Sequence, residues 1–327
     1  GFAIEISNWN EEFLPNFNVN YDTNIEKGLE QNGSTMVAWF SEYNDDNFNI
    51  QVDVSPNSFI NNTKENAKIV LLENSSFIEI PYGFNAEVLG DTSNKDVYID
   101  NDESIKNINS NTNIYINGEY NDFFFERNGT TLEIKDQFNN IVTNISVNYN
   151  TSKIYFNNGF SSLTVKDNKI NFGNKLLEDN EKFSGIDLEF ENHEQTFSKD
   201  EKSNAILILE ENTPEKFSTV SEYNYEVYGN TSEHEITIVD NSSISILDVG
   251  TNLNINSNIE NFHFERNGTT LEFYNDEYMV TQLAVGYENS NINFENTEIE
   301  IYAEDKEMKI DNVVINNNET INGDFFI

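Results

Sequence analysis

The chain contains no cysteine, which excludes disulfides, thiolate metal sites and thiol nucleophiles. Positive charge is scarce: 18 Lys and Arg stand against 58 Asp and Glu, giving a net charge of −40 and a pI near 4.1. Such a field repels phosphate backbones and anionic membrane surfaces, so nucleic acid is not an expected partner. No stretch approaches ~18 consecutive apolar residues, so neither a transmembrane helix nor membrane insertion is expected. HExxH, GxSxG and phosphate-binding loops are all missing. Carboxylates abound, but nothing singles out a pair at the ~5 to 9 Å that glycoside hydrolysis needs. These absences point away from an enzyme.

What is present is enough to fold. Hydrophobic residues make up 37% of the 327 and aromatics 13%, too much apolar matter for a disordered acidic tail. Internal repetition is the strongest signal. FERNGTTLE occurs at Phe125 to Glu133 and again at Phe264 to Glu272, an offset of 264 − 125 = 139. The same offset relates Gly90 to Gly229, and slips of one align Asn66 with Asn204 and Ile154 with Ile292. The expected organisation is an N-terminal β segment (1–65), β repeat 1 (66–203) and β repeat 2 (204–327), packed in series, with the boundary in the charged stretch Lys175 to Ser203.

Locally the pattern is strand and turn. Short Ile, Val, Tyr and Phe runs alternate with polar residues, about a sixth of the chain is Asn, and Pro is limited to 4. Clusters at Glu87 to Leu89, Val97 to Ile99, Ile105 to Ile108 and Ile114 to Ile116 recur about every nine residues, which suits β-solenoid coils or β-sandwich strands equally. The fold class is therefore all-β: tandem β-rich repeats, as a sandwich or a solenoid with hairpins. FFFERNGTTLEI and FHFERNGTTLEF read as hairpins in which Asn128-Gly129 and Asn267-Gly268 fill a type I′ turn. Phe123 and Phe125 then share one face, as do Leu132 and Ile134. FAIEI, STMVAWF and FNIQVDVS are strand candidates nearer the N-terminus.

Calcium is the best-motivated cofactor, since acidic and amide oxygens suit a hard cation, and Asp91, Asn94, Asp96, Asp100 and Asp102 are its candidate ligands. Their counterparts in repeat 2 are Asn230, Glu233, Glu235, Val239 and Asn241, so the set is not kept, and a role as Asx-turn residues is the stronger reading. Asp45-Asp46 is a weaker candidate of the same kind. Asn128 and Asn267 satisfy the N-x-[ST] glycosylation rule, although Asn-Gly is also what the hairpin demands. His234 aligns with Lys95 and His263 with Phe124; neither they nor His193 belong to a shared catalytic set.

The order of elements, a GDTSNKD-type turn, NGEYNDFFFERNGTTLEI, then KIYFNNGFSSLTV and KINFGN, resembles repeats of large type I-secreted bacterial surface proteins, S-layer proteins and adhesins among them. The resemblance covers both repeats but not residues 1–65. It implies an extracellular, β-rich, calcium-dependent protein. The chain departs from the glycine-rich nonapeptides of RTX β-rolls, having no GGxGxD run and only 15 Gly. The expected function is non-catalytic: an S-layer or surface-filament subunit, cation-stabilised, that assembles with identical copies or other surface proteins. An adhesin or carbohydrate-binding module, with glycans as partners, is the alternative, and a planar aromatic strip on one sheet face would be its mark.

Overall fold

The computed structural model describes residues 65–327 except 192–196, 200 and 276–277, together with the backbone of five strands nearer the N-terminus. Two compact units result, Gly1–Asn62 and Thr63–Ile327. In the first, β1 (Phe2–Ile6), β4 (Thr35–Phe40) and β5 (Gln51–Val52) fall within the three expected segments, while β2 (Val19–Asn20) and β3 (Lys27–Asn32) are strands that were not expected. They form the sheet β1-β4-β3 and the pair β2-β5. Asp45 and Asp46 lie outside the described residues.

In the second unit, repeat 1 winds as a flat coil. β6 (Ala67–Leu71) and β7 (Phe77–Ile78) make the first turn, β8 (Asn85–Leu89) and β9 (Asp96–Ile99) the second, and β10 (Ser104–Ile108) and β11 (Asn113–Ile116) the third. The hairpin of β12 (Phe124–Asn128) and β13 (Thr131–Lys135) is inserted before β14 (Ile141–Ser146) and β15 (Ser152–Phe156) complete the fourth. β16 (Gly159–Lys166), β17 (Lys169–Phe172), β18 (Lys175–Leu176) and β19 (Lys182–Ser184) then close the far end with antiparallel pairs. Ala67 lies beside Ala86, and Ala86 beside Ile105, in parallel register. Because each coil supplies its own crossover, strands 19 residues apart pair in parallel, which decides for the solenoid over the antiparallel sandwich.

Repeat 2 does the same with β20 (Ser203–Leu209), β21 (Lys216–Ser218), β22 (Tyr223–Tyr228), β23 (Glu235–Ile238), β24 (Ser243–Leu247) and β25 (Asn252–Ile255). The hairpin β26 (Phe262–Asn267) and β27 (Thr270–Asn275) precedes β28 (Met279–Ala284) and β29 (Ser290–Asn293). The end is closed by β30 (Glu298–Glu304), β31 (Glu307–Ile310), β32 (Val313–Ile315) and β33 (Thr320–Asn322).

The repeats are not stacked in series. Their first strands, β6 and β20, pair antiparallel, with Ile69 opposite Leu207, Val70 opposite Ile206 and Lys68 opposite Ile208. Since 207 − 69 = 138 is the offset of Asn66 from Asn204, equivalent residues face each other across a local two-fold axis. The result is one 14-stranded sheet, β19-β12-β13-β14-β10-β8-β6-β20-β22-β24-β28-β27-β26-β33, faced by two seven-stranded sheets. A single hydrophobic core runs through both repeats. The physical reason is edge pairing: β6 and β20 would each be left with a row of open backbone groups, and they satisfy one another, while β7 and β21 remain short edges.

Turn chemistry accounts for the asparagine. Asn94, Asn107, Asn111, Asn139, Asn168, Asn180, Asn241 and Asn318 all take positive φ, the region Asn tolerates best after Gly. Others form ladders between coils: Asn117 donates to Asp100 at 2.6 Å and Asn157 to Asn117 at 3.0 Å, while in repeat 2 Asn291 donates to Asn252 and Asn293 to Asn254, both at 3.0 Å. Gly90 and Gly229 have φ of +130° and +129°, and a Cβ there would come within 3.0 and 2.8 Å of Leu71 and Leu209.

The hairpins form where expected, with Phe123, Phe125, Leu132 and Ile134 buried together, but their turn differs. Asn128 pairs with Thr131, so the two loop residues are Gly129 and Thr130. Gly129 has φ +59° and Asn128 does not take positive φ, which is a type II′ turn with Gly first, not type I′. The turn is held from outside. Gly129 N–H donates to Asp179 (2.7 Å) and Gly268 N–H to Asn317 (2.8 Å). Arg127 and Arg266 clamp the adjacent segments of the same chain through the Leu177 and Ile315 carbonyls, at 2.5 and 2.6 Å.

Candidate functional site

The five candidate calcium ligands are divided between two turns and the strand joining them. Asp91 accepts from the Ser93 N–H (3.0 Å), an Asx turn, and Asn94 has φ +61° and accepts from Asn111. Asp96 accepts from Asn113 (2.8 Å), and Asp100 from Asn117. Asp102 has φ +63° and accepts from the Tyr82 hydroxyl (3.1 Å). The four-residue strand β9 separates the outer members by about 13 Å, whereas ligands of one calcium ion sit about 2.5 Å from it. The structure therefore gives each residue a local role and does not gather the five. Among the described residues, no group of three or more His, Cys, Asp or Glu side chains is arranged to hold a metal.

The aromatic strip exists, and repeat 1 alone has it. Tyr98, Tyr115 and Tyr155 are direct neighbours on β9, β11 and β15, and Tyr155 faces Phe160. Tyr115 stacks on Tyr155 at 4.7 Å and Tyr155 on Phe160 at 5.4 Å. The row is covered: Phe197 stacks on Tyr98 at 5.1 Å and touches Tyr115, leaving Tyr115 and Tyr155 6% and 7% exposed. At the same face Lys199 pairs with Glu79 (2.7 Å), and Glu191 bridges to Phe160. These residues belong to the segment linking the repeats. That segment has to run from the far end of repeat 1 back to its first coil, and the aromatic row is where it docks.

On this face a groove of about 480 Å³ is lined by Tyr98, Tyr115, Tyr155 and Phe197 together with Glu79 and Lys199, among others. Burial raises the Glu79 carboxyl, an effect only partly offset by Lys199. Glu103 is 7% exposed and accepts from the Asp100 N–H at 3.0 Å. Burial, with Asp100, Glu79 and Asp102 nearby, pushes its carboxyl up to about 9. Repeat 2 uses hydroxyls there: Thr219 accepts from the Val239 N–H (3.0 Å) and bonds to Ser242, the counterpart of Glu103.

The conserved-looking turn hides its working residue. Thr92, fully buried, bonds to Thr112 (3.1 Å) and to Asn109, and its repeat 2 mate Thr231 bonds to Thr251 (2.9 Å) and to Asp248. Both pairs obey the 139 offset, which was the signal available to find them. Asn128 and Asn267 are exposed, each donating to a Glu on its own hairpin, Glu133 and Glu272. Their amides are accessible, but the hairpin accounts for the motif. His234 and Lys95 share a task after all: each reaches a carbonyl of the preceding coil, at Pro214 and Ser75. His263 stacks on Tyr274 at 5.2 Å, and His193 lies outside the described residues.

No helix among the described residues is long and apolar enough to cross a membrane. No protein-family model and no curated protein matches the chain. Among solved structures, the extracellular lipase LipA from Serratia marcescens matches at a TM-score of 0.18 with 8% identity, over 62% of this chain and 37% of that one, a likeness that carries no argument about fold or chemistry.

Proposed function

We propose that the chain is a non-catalytic structural module of the bacterial cell surface, an extracellular S-layer or surface-filament type of subunit. The observation that carries the reading is the continuous 14-stranded sheet with one core beneath both repeats. It joins the two repeats into one body whose polar side chains form ladders and turns. The −40 charge keeps copies apart until divalent cations screen it, acting as a diffuse atmosphere over the acidic faces rather than in one site.

The test is mass by light scattering with negative-stain imaging, in chelator and then in millimolar calcium, with sodium chloride at matched ionic strength as control. Ordered sheets or filaments with calcium support the reading. An unchanged monomer with an unchanged melting temperature removes it and leaves surface adhesion, for which saturable glycan binding is the assay.

A further inference from the structure

We infer that the junction between the repeats is a dimer interface in kind, and that a second copy of this chain can occupy it, β6 of one copy pairing with β20 of another. The inference gives the assembly reading its contact and rests on that reading only for its biological use.

The symmetry reaches beyond backbone register. Ser75 donates to the Asn204 carbonyl, and its equivalent Thr213 donates to the Asn66 carbonyl at 2.6 Å. The same two hydroxyls accept from Leu72 N–H (2.8 Å) and Glu210 N–H (3.0 Å), which are themselves equivalent. Ring pairs cross the axis on both sides, Phe77 with Tyr223 at 5.3 Å and Phe84 with Phe217 at 5.2 Å. The inner faces match in size, Ala67 and Ile69 against Ala205 and Leu207, all fully or almost fully buried.

None of these bonds requires both partners to be in one chain. If repeat 2, with its linking segment, docks on a neighbour's repeat 1, each is re-formed between copies, the Lys199–Glu79 pair included, and only the closure entropy changes. Other routes to pairing are poor. Within the unit Thr63–Ile327 the edge strands β7, β18, β19, β21, β32 and β33 are two or three residues long, which blunts strand addition there. Unlike strands are favoured over like ones because Lys68 pairs with Glu210 across the junction at 3.0 Å, whereas the equivalent of Glu210 in repeat 1 is Leu72.

The experiment uses the full chain, which has no cysteine of its own. Val70 and Ile206 are directly opposed, so the V70C/I206C variant is unfolded under reducing conditions, refolded over a range of concentrations, oxidised and run on a non-reducing gel. Cross-linked single chains at high dilution, giving way to covalent dimers and ladders as concentration rises, are expected. The unsubstituted chain, refolded in parallel, should show the same rise in mass by light scattering, which keeps the test independent of the variant's folding. Monomer mass and single-chain cross-links at every concentration overturn the proposal. So does a covalent dimer that forms in the single variant I69C while V70C/I206C cross-links only within one chain, since like strands would then be pairing. Failure here leaves calcium-induced ordering of the unsubstituted chain free to succeed through another contact, so the two readings fall separately.

Discussion

Repeat 1 carries Tyr98, Tyr115, Tyr155 and Phe160 in the outer row where repeat 2 carries Thr237, Asn254, Asn293 and Glu298. The coil accepts either set, because outward positions of a solenoid strand are constrained by what covers them and not by the core. Repeat 1 is covered by the segment that returns the chain to the junction. In repeat 2 the row is instead a polar ladder, Asn293 donating to Asn254 and Asn254 to Thr237. An aromatic strip here thus marks a path of the chain, and a sequence reader looking for a sugar platform would find its rings already in use.

The comparison can be broken first where the repeats agree. Gly185 and Gly323 meet the Tyr120 and Ile259 carbonyls so closely that a Cβ would lie 1.8 Å from the oxygen in both. Gly185→Ala and Gly323→Ala should each cost about 3 kcal/mol or more by forcing the end cap away. Urea unfolding should show the same transition shifted by both substitutions; different transitions shifted by Gly185→Ala and by Gly323→Ala would contradict the single core.

Covering is tested next. Phe197→Ala should cost about 2 kcal/mol, part of the value of a fully buried ring, and should raise quenching of tyrosine fluorescence by iodide. Thr237→Ala, at the matching row of repeat 2, should stay within about 0.5 kcal/mol. Equal effects at both positions would remove the docking explanation.

Glu103 against Ser242 gives a pH signature. The unfolded carboxyl ionises near 4.5, whereas the folded one holds its proton up to about 9. Below pH 4.5 both states are protonated and nothing is lost. As pH rises from there towards 9 the unfolded state ionises and the folded state does not, so stability falls across that window. Glu103→Gln should therefore raise stability by about 2 kcal/mol at pH 7 and leave it unchanged at pH 4, as read from melting curves. A gain equal at both pH values would mean packing, not ionisation.

The smallest effect concerns a bulge. Asn107 and Ile246 are equivalent, sit where the registers of β10–β14 and β24–β28 shift, and have φ of +66° and +65°. Ile is β-branched and disfavoured there. Ile246→Asn should stabilise by about 1 kcal/mol and Asn107→Ile should cost at least as much, by the strain of that backbone region.

Much of this was legible in the chain, and unevenly so. The hairpins could be read to the residue in their core faces, because Phe125, Leu132 and Ile134 follow a period of two that is local. Their turn type was missed by one position; the turn that forms is bonded through Gly129 and Arg127 to Asp179 and Leu177, some fifty residues on, which the local pattern does not report. The candidate metal ligands were chosen for their oxygens. Asp91 turns on its neighbour Ser93, but the partners of Asn94, Asp96 and Asp100, namely Asn111, Asn113 and Asn117, lie 17 residues on, one coil away, which becomes visible only once the coil is known. Thr92 and Thr112 carried no chemical flag at all and are among the most buried polar groups of the turn.

By itself the sequence determined an all-β chain with two repeats, its strand faces and its turn residues, because alternation and positive-φ preference are properties of neighbouring residues. Only the tertiary structure decided between solenoid and sandwich, set the repeats head to head, and turned an aromatic row into a docking bed. Each of those depends on which strand lies beside which. A strand's own residues specify a face to bury and a ladder to fill, whether its partner is 19 residues away in parallel or 138 away and antiparallel.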